Sequence, residues 1–279
     1  MGCVADGRGT GMQSARVAAV SRPVRHAYGV HRAQFAELTL PAGADAGALP
    51  VVVLIHGGFW RARYDLRLSD PLVADLAARG FAVWNLEYRR LGWLRGGGGW
   101  PATLLDVASG IDALATARDG GAPLDLDRIA TVGHSAGGHL ALWAAARAGL
   151  PAGAPGSVPA VTLAGAVAQA GVVDLHEAER TRLGGGVVRR LLGGSAVAEP
   201  DRYALASPTA RLPLGVAHLL VHGDGDETVP LSISEGHHER ALAAGDDCEL
   251  AVVAGGHFEH LDPASPAWAA AAAWLERLR

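Results

Sequence analysis

Residues 51–55, Val-Val-Val-Leu-Ile, form an uninterrupted apolar run. A strand with one wet face alternates apolar and polar residues; this one does not, so both of its faces need cover. A strand inside a sheet with helices on both sides meets that demand, and the chain supplies the helices. "SDPLVADLAARG" (69–80) has Ser69 or Asp70 as cap, Pro71 in the first turn and Gly80 as stop. "FAVWNLEY" (81–88) reads as the next strand, and "PATLLDVASGIDALATAR" (101–118) opens on proline and carries a helical apolar stripe. "RIATVG" (128–133) is followed by a helix running from Ser135 through "HLALWAAARAG". Further strands are expected at 163–171, 217–223 and 248–256, with helices near 231–244 and 264–278. This rhythm predicts an α/β fold: a mostly parallel central sheet with helices on both faces.

Two segments break the rhythm. Residues 1–22 carry Gly, Arg and Ser without periodicity and are expected to be a loose N-terminal extension, with Met1 or Met12 as the expected start. Residues 23–279 are then expected to form a single domain. Residues 175–212 are rich in Gly, Arg and Pro with one short helical patch, which suits a small cap insertion over the carboxyl ends of the strands.

Composition removes several classes of chemistry. All 24 basic residues are arginine, so no lysine is available for a phosphate loop or a Schiff base. A net charge of −4 gives no ground for nucleic-acid or polybasic membrane binding. Cys3 and Cys248 are too few for a disulfide framework or a thiolate metal site; Cys248 is expected to be a buried, inert thiol. The first residues lack the sustained apolar core of a secretory signal, and no apolar stretch reaches the length of a membrane span. The expectation is a soluble cytoplasmic protein of unspecified oligomeric state.

"TVGHSAGGHL" (131–140) sets Ser135 between Gly133 and Gly137 where a strand meets a helix. Ser135 is either a helix N-cap or a nucleophile lifted to the top of a sharp turn. A nucleophile requires a place for negative charge. "LIHGGFW" (54–60) runs from a strand into two glycines, so the amides of Gly58 and Phe59 can face an oxyanion together with that of Ala136 at the positive end of the following helix. His56, ahead of the turn, is expected to fix this loop rather than act as a base. An acid should follow a later strand, and "LLVHGDGDETVP" (219–230) offers Asp224 and Asp226. A base should follow the next one. "VVAGGHFEH" (252–260) offers His257, on a loop after two glycines, while His260 is expected to cap or solvate the final helix.

With "HGGFW", "NLEYRR", "GHSAGG", "HGDGDETVP" and "GGHF" in the order Ser, Asp, His, the chain resembles the α/β-hydrolase esterase/lipase superfamily from about residue 23 onward. The resemblance implies an α/β-hydrolase fold. Its H-G-x-x-D-x-x-V-P pattern selects Asp226, giving Ser135, Asp226 and His257 as catalytic residues and Gly58, Phe59 and Ala136 as the oxyanion hole. "HGGxW" followed by "EYR" is similar to the kynurenine formamidase and small-acyl carboxylesterase branch. Phe59 stands where the hormone-sensitive-lipase branch has a third glycine, and no room exists for the propeller domain of the exopeptidase relatives.

The implied function is a serine hydrolase cleaving a small carboxylic ester through an acyl-enzyme, without a cofactor. Its small-molecule substrate would be an ester or an amide. A formamidase acting on a formyl amide is the alternative, and a non-catalytic ligand-binding protein of the same fold is the rival from another class. Twelve histidines raise a metal reading, but they are scattered, "HHERAL" (237–242) lacks the second histidine of H-E-x-x-H, and no metal site is expected. His134, His139 and His222 are expected to pack or hydrogen-bond beside the site. Trp60, Trp93 and Trp100 admit two readings: ordinary packing, or the wall of an acyl or aryl pocket to which Trp60 and Trp100 are assigned.

Overall fold

A computed structural model describes residues 20–43, 47–92 and 97–279. One eight-stranded sheet organises them, in the order β1-β2-β4-β3-β5-β6-β7-β8. Strands β3 (Leu49–Ile55), β4 (Ala82–Leu86), β5 (Leu124–His134), β6 (Gly165–Gln169), β7 (Ala217–Gly223) and β8 (Cys248–Val253) run parallel. At one edge β1 (Val24–Ala27) and β2 (Phe35–Thr39) are antiparallel to each other and to β4.

The apolar run in β3 meets both layers. Val51, Val53 and Ile55 point into one core, and Val52 and Leu54 into the other, as the two-residue period of a strand requires. The first core is closed by α2 (Ala102–Asp119), α3 (Ala136–Ala145) and α7 (Leu231–Ala243); the second by α1 (Asp70–Ala78) and α8 (Pro266–Leu275). This is the α/β-hydrolase fold. Every parallel strand ends on the same side, so the loops after β3, β5, β7 and β8 gather at one rim.

The 175–212 segment holds more regular structure than its composition suggests. It folds as α4 (Leu175–Arg180), α5 (Leu183–Leu192) and α6 (Pro200–Ala206). Gly184, Gly185 and Gly186 all take left-handed backbone inside α5, which no helical periodicity signals. The segment is tied down through α3, where Trp143 Nε1 donates to Leu205 O at 3.1 Å and His139 Nε2 to Ala206 O at 2.9 Å.

The chain is also held earlier than the expected extension allows. Val20 bridges to Pro41, and Ser21 N donates to Leu40 O at 3.0 Å. Residues 1–19, with Cys3 and Met12, and Trp93 lie outside the described residues. Among the described residues no helix is long and apolar enough to cross a membrane. Cys248 is buried, and burial together with Asp246, Asp247 and Glu249 pushes its thiol up to about 12.

Candidate active site

Ser135 sits between the end of β5 and the start of α3 with φ 57° and ψ −119°. A left-handed φ at a residue carrying a Cβ costs about 1–3 kcal/mol, and such strain collects at functional sites. Packing shows why the flanking glycines are needed. A Cβ on Gly137 would stand 1.9 Å from Ile55 O, and one on Gly133 would stand 2.1 Å from Gly137 O. Ser135 N donates to Gln169 O at 2.8 Å, fixing the turn to β6. Although Ser135 occupies the N-cap position, its side chain makes no capping hydrogen bond. The hydroxyl is left out of the helix's own bonding.

Asp226 follows β7, with its side chain shut off from solvent. Its Oδ1 accepts from Thr228 N at 2.7 Å and Val229 N at 2.9 Å, and its Oδ2 accepts from His257 Nδ1 at 2.7 Å. Burial alone would raise this carboxyl, but hydrogen bonds from His222, His257 and the Val229 amide together hold it far below the usual carboxylate range. A carboxylate only accepts, so His257 carries its proton on Nδ1 and presents the lone pair of Nε2. Asp224, two residues earlier, is exposed and accepts from Gly255 N at 3.2 Å; no contact joins it to His257.

His222 stands behind the acid. Its Nε2 lies 2.9 Å from Val229 O and 3.4 Å from Asp226 Oδ2, and its Nδ1 lies 2.8 Å from Ser234 Oγ. The turn carrying Asp226 is thereby fixed to α7. His260, expected to cap or solvate the final helix, is instead fully buried, with neither ring nitrogen hydrogen-bonded. Its ring lies 5.9 Å from that of His134, and the final helix is capped by Ser265 instead. Burial, with His222 and His257 nearby, lowers His260 to about 4.

The loop after β3 faces the serine. A Cβ on Gly57 would lie 3.2 Å from Ser135 Cβ, so the two turns touch. Gly58, Phe59 and Trp60 have φ of 104°, 51° and 53°, three successive left-handed residues. Gly58 has a second reason to be glycine: a Cβ there would stand 2.4 Å from the Tyr64 ring. Within the described residues no backbone hydrogen bond engages the amides of Gly58, Phe59 or Ala136.

A buried ionic cluster braces this loop, and it was not legible as such in "NLEYRR". Glu87 bonds Arg90 Nη1, lies 3.2 Å from His56 Nε2, and accepts from Leu66 N and Tyr88 N. Burial opposes ionisation of Glu87, but His56 and Arg90 outweigh it and lower the carboxyl. Tyr88 Oη donates to His56 O at 2.7 Å, and the two rings stack at 4.4 Å. Arg89 grips Asp106 with two guanidinium bonds of 2.8 and 2.7 Å. The motif therefore acts by holding the loop, through Glu87 and Arg90 as much as through Tyr88 and Arg89.

A cavity of about 130 Å³ is lined by Ser135, His257, Gly58 and Phe59, with Tyr64 and Phe258 among its walls. Trp60 and Trp100 do not line it, contrary to the pocket assignment. Trp60 is fully buried in the core with its ring edge-on to His139 at 5.2 Å. Trp100 packs against the same core beside α5, its amide donating to Leu191 O at 2.7 Å.

Comparison with known proteins matches residues 37–240, most of the chain, to the BD-FAE family model. The chain belongs to the BD-FAE family. Esterase LipC of Mycobacterium tuberculosis is 28% identical over 226 residues, covering 77% of this chain and 54% of LipC. The chain thus spans about half the length of the curated relatives it matches. Among solved structures, a carbohydrate esterase from gut microbiota superposes with a TM-score of 0.78 at 22% identity, covering 93% of this chain and 96% of that one. A butyrate-bound esterase Est2 of Thermogutta terrifontis gives 0.69 at 22% identity, covering 91% of each. These superpositions support the fold of this family member.

Proposed function

We propose that this chain is a serine hydrolase cleaving small carboxylic esters through an acyl-enzyme, with residues 23–279 acting as one catalytic domain. One arrangement carries the reading. His257 Nδ1 sits 2.7 Å from a buried carboxylate, on the same cavity as a serine whose hydroxyl is not used by its helix. The esterase names among the relatives agree with it.

In the proposed reaction Ser135 Oγ attacks the ester carbonyl while its proton passes to His257 Nε2. Negative charge moves to the carbonyl oxygen, toward the amides of Gly58, Phe59 and Ala136. Asp226 fixes the imidazole tautomer and balances the imidazolium. As the tetrahedral species collapses, Nε2 returns the proton to the departing alcohol. Water then attacks the acyl-serine, delivering a proton to Nε2. As the second tetrahedral species collapses, Nε2 returns that proton to Ser135 Oγ and the acid leaves.

A formamidase activity, which the "HGGFW" and "EYR" motifs suggest, uses the same groups. A formyl acyl group fits a cavity of about 130 Å³. The deciding experiment is fluorophosphonate labelling of the native protein and Ser135→Ala, followed by turnover of 4-nitrophenyl butyrate and N-formylkynurenine. Labelling confined to Ser135 with ester turnover supports the esterase; turnover of the formyl amide alone moves the assignment to a formamidase. No labelling and no turnover leaves a ligand-binding protein.

A further inference from the structure

The cavity at Ser135 is lined by two arginines, Arg61 and Arg63, and by no aspartate or glutamate. The buried Asp226 carboxylate lies behind His257 and is engaged by His257 and by the amides of Thr228 and Val229. Elsewhere in the molecule arginines are commonly paired with acids, among them Arg67 with Asp65, Arg89 with Asp106, Arg90 with Glu87 and Arg147 with Asp112. The two cavity arginines are different. Arg61 Nη2 donates to Gly184 O at 2.7 Å, while its Nε is buried without any hydrogen-bond partner. Its guanidinium stands 5.6 Å from the centre of the Phe59 ring. Arg63 is exposed, 4.6 Å from the centre of the Tyr64 ring, and has no carboxylate partner among the described residues.

Two guanidinium groups with no carboxylate partner among the described residues, in a cavity lined by no acid, leave a positive field beside Ser135. Guanidinium recognises a planar carboxylate through paired N–H donors, and stacking on an aromatic ring restricts its orientation beforehand. The position adds to the point. Arg61 and Arg63 follow directly on the Gly58–Trp60 turn, so a substrate whose carbonyl reaches that turn passes beside both of them.

We propose that Arg61 and Arg63 select esters that also carry a carboxylate, binding that anion where the substrate leaves the small cavity. This rests on the esterase reading above. Selection acts through a carboxylate on either the acyl or the alcohol portion, and the probes cover both.

The test is a pair of matched ratios measured on the native enzyme: 4-nitrophenyl hydrogen succinate against 4-nitrophenyl butyrate, and 3-acetoxybenzoate against phenyl acetate. Each ratio of kcat/KM is compared with the same ratio for alkaline hydrolysis, which removes intrinsic reactivity. The anionic ester should be favoured in at least one pair, on the order of tenfold over that reference, as charge-assisted bonds imply. That preference should shrink at high salt. Arg63→Gln should lower the ratio and Arg63→Glu should lower it further. Because Arg63 is exposed, neither change threatens folding, and a melting curve checks this. Neutral esters favoured in both pairs, or ratios unmoved by Arg63→Glu, overturn the proposal. If Ser135 still labels and neutral esters still turn over, the esterase reading stands without it; loss of labelling in the native protein overturns both.

Discussion

His134 Nε2 donates to the backbone carbonyl of His257 at 2.7 Å. The residue before the serine thus holds the loop that carries His257, the proposed base. Burial, reinforced by His257 and His260, keeps His134 well below its ordinary value, so it stays a neutral donor. His134→Leu removes the donor and leaves a carbonyl unpaired. Misplacing a base by about 1 Å costs on the order of 100-fold, so kcat should fall by up to that factor with KM little changed. His134→Gln, which can restore an N–H donor, should recover part of the loss. Steady-state kinetics on a butyrate ester read both, and an unchanged kcat in His134→Leu would show that the loop is held by other contacts.

The two acids after β7 should separate cleanly. Asp226→Asn removes the charge beside Nδ1 and permits the wrong imidazole tautomer, so kcat should drop on the order of 10⁴-fold. Asp224→Asn touches only an exposed loop bond and should stay close to native. Equal losses would show that Asp224 reaches the reacting groups in the bound state.

The backbone of Ser135 allows a stability measurement independent of turnover. Ser135→Ala and Ser135→Gly both remove the proposed nucleophile, but only glycine relieves the left-handed φ. That relief is worth about 1–3 kcal/mol, offset by about 0.5–1 kcal/mol from the greater freedom of unfolded glycine. The glycine variant should therefore be the more stable, by about 1 kcal/mol in urea unfolding. Equal midpoints would limit the strain at the turn to about 0.5–1 kcal/mol, the cost of glycine's freedom when unfolded.

How far the sequence discloses this site depends on where each signal resides. The turns around Ser135 and Gly58 were readable because steric demand fixes residue type there: Gly137 has no space for a Cβ, and neither has Gly58. The parallel strands were readable because burial on both faces leaves a continuous apolar run. β1 and β2 carry little apolar pattern: the edge strand β1, "VRHA", has no buried residue, and β2, "FAELT", is only five residues long. The Glu87–Arg90–His56 cluster joins residues from two strand ends, and only the sheet brings them together. Trp60 was misassigned for a related reason. Its place next to Phe59 is visible in sequence, but its packing in the core beside His139 is not.

Acid should destabilise the fold before most carboxylates titrate. Burial lowers His237 to about 3, with His218 adding to the effect, and lowers His139 and His260 to about 4. Folded values below the unfolded value mean that the unfolded chain binds more protons between them. Stability is then fully present above about pH 6.5 and falls as pH drops toward 4, by at most about 1.4 kcal/mol per pH unit for each histidine. Urea midpoints should hold between pH 7.5 and about 6.5 and fall from there to pH 5, and His237→Gln should flatten the falling limb. A midpoint independent of pH across this window would mean that these rings are hydrated or protonated in the native state.

A cavity this small should set the order of acyl preference in the proposed reaction. An engineered cavity of about 150 Å³ holds a benzene ring, so about 130 Å³ beside Ser135 accommodates a short acyl chain and little more. Each methylene left in water forgoes about 0.8 kcal/mol of burial, and a clash adds to that. Acetyl and butyryl esters should exceed decanoyl esters in kcat/KM. Phe258 is the wall to remove: it is 68% exposed and its ring stands edge-on to His257 at 5.2 Å, so Phe258→Ala should narrow the gap without disturbing the core. Trp60→Ala should do something different. It empties a fully buried site, so it should cost about 3–5 kcal/mol of stability and leave chain-length preference unchanged. Native preference for long chains, or a shift in preference from Trp60→Ala alone, would place the acyl group on the other side of the anion loop.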